Sequence, residues 1–163
     1  MPHGRSGPEF LDHATARRPA PHARCYFDDW IRDRSGGAAM NLRIIQIADP
    51  GVPNSERIHL SVLADTSLEF YVLLKSFSTT TGVANGAAPA FWFPTVNVKR
   101  GDQIVVYTKP GTNSSAPLLG HTNHFFFWGM KQTLFNMPND CALLIEASDW
   151  ESLKRPKADS SSR

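Results

Sequence analysis

The sequence predicts an all-β protein: an antiparallel β-sandwich of about seven strands over residues 40–151, with disordered ends. Three observations predict it. Apolar and polar residues alternate along Glu56–Leu63 and again along Leu68–Lys75, the mark of half-buried antiparallel strands. Turn chemistry punctuates the apolar runs at Asp49-Pro50-Gly51, Arg100-Gly101-Asp102 and Pro138-Asn139-Asp140. The stretch Gly101–Glu146 carries no helical period.

Residues 1–39 are rich in Pro, Arg, His, Ala and Gly and show neither strand nor helix periodicity, so they are expected to be a disordered or vector-derived head. Within it, Tyr26-Phe27-Asp28-Asp29-Trp30-Ile31 is a candidate for one docked helical turn. Met40 follows Gly-Gly-Ala-Ala, opens directly into a strand and reads as the native start. Asn41–Ala48 is a β-branched strand. In the next two strands Ile58, Leu60 and Val62 share one face, and Leu68, Phe70, Val72 and Leu74 share another. Ser78–Pro89 reads as a long loop of small residues, and Phe91-Trp92-Phe93-Pro94 as a short edge strand stopped by proline. Gln103–Thr108 is a compact strand, Lys109–Thr122 a second long loop, Asn123–Gly129 an aromatic strand and Cys141–Ala147 the last strand. Trp150–Arg155 is expected to form a terminal helical turn, and 152–163 a basic disordered tail.

Composition narrows the function classes. No apolar run approaches the roughly 18 residues of a membrane helix, so no membrane association is expected. The net charge of +2 divides unevenly. Residues 40–151 carry seven basic and nine acidic side chains, while 152–163 carry four basic and one acidic. A mildly acidic core disfavours nucleic acid, because phosphate-backbone contact needs clustered Lys and Arg. Cys25 and Cys141 make no disulfide framework, which favours a cytoplasmic location. Cys141 alternates with Leu143 and Ile145 and is expected to be an inert buried thiol.

Several segments together resemble the lamin-tail family. Asn54-Ser55-Glu56-Arg57-Ile58-His59-Leu60, followed by Asp65-Thr66-Ser67-Leu68-Glu69-Phe70, is similar to its "N-x-E-x-I/V-x-L" strand and polar turn. Phe91–Tyr107 resembles its "F-P … G-x-x-v-v-v" block, and Leu134–Leu143 its "L-W-N-N-x-G-D-x-v-x-L" turn and strand. The resemblance spans about residues 41–146. It implies an immunoglobulin-like sandwich that serves as an interaction or scaffold module, and it brings no catalytic residues.

Chemistry-bearing constellations are few. His121 and His124, with Asp140, are the metal-ligand candidates of a small metal-dependent hydrolase. On a strand, residues three apart point to opposite faces, so the pair needs a turn at Gly120–Asn123 to share an ion. There is no G-x-S-x-G elbow and no phosphate-binding glycine loop, and no cofactor is expected. Asp102 and Asp140 are turn residues whose carboxylates are expected to accept nearby backbone N–H groups.

The aromatics carry most weight. Phe125, Phe126, Phe127 and Trp128 are consecutive, so one pair must leave the core and needs a cover: the two long loops, a docked terminus, a partner chain or a ligand. The expected binding set is Trp92, Tyr107, Phe125, Phe127 and Trp128. The expected function is a non-catalytic module that binds a protein partner or a second copy of itself through the aromatic strand and the flanking loops 78–90 and 109–123. A carbohydrate- or nucleic-acid-binding sandwich, with Trp92 and Trp128 as stacking platforms, is the third reading.

Overall fold

The structure is a computed structural model that describes residues 39–84 and 86–153. The protein is all-β. Its strands are β1 (Leu42–Ala48), β2 (Arg57–Val62), β3 (Thr66–Ser67), β4 (Tyr71–Thr79), β5 (Gly82–Val83), β6 (Ala90–Trp92), β7 (Asn97–Val98), β8 (Gln103–Tyr107), β9 (Ser114–Leu118), β10 (His121–Phe127) and β11 (Asp140–Glu146). The first sheet runs β1-β2-β8-β10-β9. In the second, β4 pairs with β11 on one side and with β5 and β6 on the other. A short ladder of β3 and β7 joins Thr66 to Val98. Among the described residues no helix is long and apolar enough to cross a membrane.

Alternation decides what each strand buries. Ile58, Leu60 and Val62 of β2 meet Ile104 and Val106 of β8 and Phe126 of β10 in one core, with Tyr71 and Leu73 arriving from β4. Burying each such side chain stabilises the fold by about 1.5–3 kcal/mol. Aromatic rings tie the two sheets together. Phe93 meets Phe91 edge-on at 5.0 Å and Phe126 at 5.4 Å, and Phe91 lies 5.8 Å from Trp128. In β1 a bulge between Ile44 and Gln46 pushes Ile45 outward. The extra residue restores the inward phase, so Ile44 and Ile47 both pack on the core.

Four sequence expectations need correction. Leu68, Phe70, Val72 and Leu74 do not share a buried face. Leu68–Phe70 winds into a 3-10 turn, which resets the phase, so Leu68, Tyr71 and Leu73 are buried and Phe70 is exposed. The sheets are not wholly antiparallel either, because β10 runs parallel to β8 from Asn123↔Gln103 to Phe127↔Tyr107. The chain leaves β8, forms the edge strand β9 first, and returns as β10 into the place beside β8. The stretch read as the loop Lys109–Thr122 therefore contains β9, whose SSAPL sequence is exposed throughout and shows no alternation to betray it. Its Pro117, which lacks an N–H, sits acceptably on an edge. Lastly, β4 and β5 form a hairpin within the small-residue loop, and Ala84 and Ala88 bond back to Phe77 and Lys75.

Trp150–Leu153 forms no helical turn. The head through Ala38, including Cys25 and Tyr26–Ile31, and the tail from Lys154 lie outside the described residues.

Candidate functional site

The four consecutive aromatics divide as strand geometry requires. Phe126 is buried in the core, and Trp128 follows it inward at 7 % exposure. Trp128 is therefore a core residue and not part of an exposed binding set, which corrects its place among the candidates. Among the described residues its indole N–H has no hydrogen-bond partner. Phe125 and Phe127 face outward and are half-buried. Phe127 stacks on Tyr107 with ring centroids 5.3 Å apart and planes at 15°, and Lys109 Nζ lies 5.2 Å from the Tyr107 centroid. The segment after β8 supplies the cover. Gly111 presses on the Phe127 ring so closely that a Cβ there would sit 2.2 Å from Cδ1, and Asn113 Oδ1 accepts the Phe127 N–H at 3.1 Å. The small-residue loop folds against β4, where the Ser76 hydroxyl donates to the Ala84 carbonyl.

Trp92 belongs to a different surface. On the outer face of the second sheet, Val72 lies between Trp92 and Ile145, and Leu74 between Ala90 and Leu143. Trp92 is 46 % exposed and Ile145 42 %. The indole N–H of Trp92 donates to the Glu69 carbonyl at 2.7 Å, which fixes its ring, and Trp150 (56 % exposed) meets it edge-on at 5.1 Å. The predicted binding residues thus fall on two faces and the core, and they do not converge.

The metal candidates do not converge either. Asp140 opens β11 in the second sheet, where it pairs with Lys75 at 2.6 Å and accepts the N–H groups of Asn136 and Met137. Burial pushes its carboxyl up, but Lys75 and these N–H donors outweigh that and hold it below the usual value. Among the described residues no group of three or more His, Cys, Asp or Glu is placed to hold a metal ion. Cys141 is buried in β11 across from Ser76.

His121 and His124 instead line a cleft of about 470 Å³ between the turn Lys99–Asp102 and the β9–β10 hairpin. Leu119 and Gly120 close this hairpin, both at positive φ, and the short turn carries His121 back over Gly101. A Cβ at Gly101 would lie 2.7 Å from the His121 ring, so only glycine admits this packing. At the floor of the cleft, Asp102 Oδ1 accepts the Thr122 N–H at 2.8 Å and Oδ2 the Lys99 N–H at 2.9 Å. His124 Nε2 stands 3.4 Å from Oδ2. Burial pushes the Asp102 carboxyl up, yet the Lys99 and Thr122 N–H groups and the His124 ring together hold it below the ordinary carboxylate value. The charged form of Asp102 is thus favoured, and its Oδ2 faces Nε2 of His124.

Sequence reasoning missed this pairing, although it left a signal. His124 shares parity with Phe126 and Trp128, so it must point inward, and an inward imidazole requires a polar partner. Glu56 left the same signal by sharing the parity of Ile58, Leu60 and Val62. It is buried, and its carboxylate accepts the N–H groups of Gly51, Leu134 and Phe135 at 2.8, 2.6 and 3.0 Å. No protein-family model matches this chain, and no curated protein matches it.

Proposed function

We propose that this protein is a non-catalytic interaction module, a lamin-tail-like, immunoglobulin-like sandwich that associates with a second copy of itself. The observation that carries the reading is the outer face of β4, β6 and β11. There Trp92 and Ile145 flank Val72, and Ala90 and Leu143 flank Leu74, with no charged side chain in either row. Such an exposed apolar surface on a rigid sheet favours association. Its neutrality favours a like partner, since two copies related by a twofold axis can bring these rows together without burying an unpaired charge. The pinned Trp92 ring supports the same reading, because an anchor ordered beforehand loses little entropy on binding.

Light scattering over a concentration series tests this. The expected result is a mass that rises toward that of a dimer, and an Ile145→Lys variant that stays monomeric with an unchanged circular dichroism spectrum. A wild-type protein that remains monomeric at high concentration overturns the reading.

A further inference from the structure

We propose that the cleft between the Lys99–Asp102 turn and the β9–β10 hairpin binds a phosphate group, presented as free phosphate or as a small phosphate monoester. Four basic side chains, Lys99, Arg100, His121 and His124, line it. Only seven Lys and Arg lie between residues 40 and 151, so two of them adjacent at one cleft is a local concentration of positive charge in an otherwise acidic region. Neither Lys99 nor Arg100 has an ion-pair partner for its side chain among the described residues. Their charges are free to meet a ligand.

The one carboxylate lining the cleft, Asp102, keeps its negative charge, but two backbone N–H groups offset part of it, and Lys99 and Arg100 together outnumber it along the lining. Asp102 is held by two backbone N–H groups and faces the His124 ring. It orients that ring in turn. With Nε2 directed at Asp102, the other nitrogen, Nδ1, has no partner among the described residues. A buried imidazole aligned by a carboxylate, with lysine and arginine at the rim, suits an oxyanion that accepts several charge-assisted hydrogen bonds. A cation would be repelled by Lys99 and Arg100, and a neutral ligand would leave them unused. A volume of about 470 Å³ accommodates a small phosphate monoester. The site lies on the first sheet, whereas the neutral face of β4, β6 and β11 belongs to the second, so it stands apart from self-association.

Amide resonances followed by NMR during titration with inorganic phosphate, and separately with O-phosphoserine, test the proposal at constant ionic strength set with sodium chloride. The expected result is saturable shifts at Gly101, Gly120 and Thr122, with affinity at least tenfold weaker in the Lys99→Gln/Arg100→Gln double variant, whose exposed side chains leave the fold unchanged. A preference for O-phosphoserine assigns the site to an ester, and equal or better binding of inorganic phosphate assigns it to the free ion. Shifts reproduced by chloride alone, or unchanged in the double variant, overturn the proposal. Stoichiometric zinc binding at His121 and His124 without a phosphate response overturns it as well.

Discussion

Glu56 shows how one side chain joins segments that are distant in sequence. Its carboxylate collects three backbone N–H groups, one from the turn before β2 and two from Leu134 and Phe135, nearly 80 positions away. The bond from Phe135 is buried and the other two are part-buried, and an alanine at 56 would leave all three donors without this acceptor, at about 1–3 kcal/mol for each one kept from water. Glu56→Ala is therefore expected to lose about 3 kcal/mol or more of unfolding free energy in urea, and Glu56→Gln less, because the amide oxygen retains part of the set. Tyr71 ties the other sheet in the same way, its hydroxyl donating to Glu146 Oε1 at 2.7 Å. Burial, then this bond, pushes the phenol up to about 12. The unfolded chain releases that proton near 10, so the Tyr71 contribution is complete below about pH 10 and is lost as pH rises through about 12. Absorbance at 295 nm is expected to show a late tyrosine titration that Tyr71→Phe abolishes.

Strands and turns obey a rule of phase. In β10 the period of two sends Phe126 and Trp128 inward and leaves Phe125 and Phe127 outside, an outcome legible in the sequence as a requirement for a cover. The identity of the cover was not legible. It is the segment after β8, whose Gly111 gives the Phe127 ring room to lie on Tyr107. Gly111→Ala is expected to cost about 1–3 kcal/mol in thermal or chemical unfolding, because three ring carbons of Phe127 lie within 2.6 Å of the new methyl position. Phase also explains the misread strand. A 3-10 turn at Leu68–Phe70 and the bulge after Ile44 each shift the register by a residue, and a local shift is invisible to a reading that extends alternation from one end.

For the whole molecule, the separation of faces matters most. The aromatic residues that look like one group along the chain are distributed by the sheets to the core (Trp128), to the outer face of the first sheet (Tyr107, Phe125 and Phe127) and to that of the second (Trp92). The same distribution separates Asp140 from His124 and gives His124 to Asp102 instead. The sequence by itself determined that the fold is all-β, where most strands lie, that the aromatic strand has two faces, and that Asp102 and Asp140 serve backbone N–H groups in turns. Those features depend on residues that are neighbours in the chain, so alternation and turn chemistry record them. Only the tertiary structure decided the parallel pairing of β8 with β10, the cover over Phe127, the grip of Glu56 and the cleft that unites Lys99 and Arg100 with His121 and His124. These depend on which distant strands lie side by side, and side-chain period carries no record of that order.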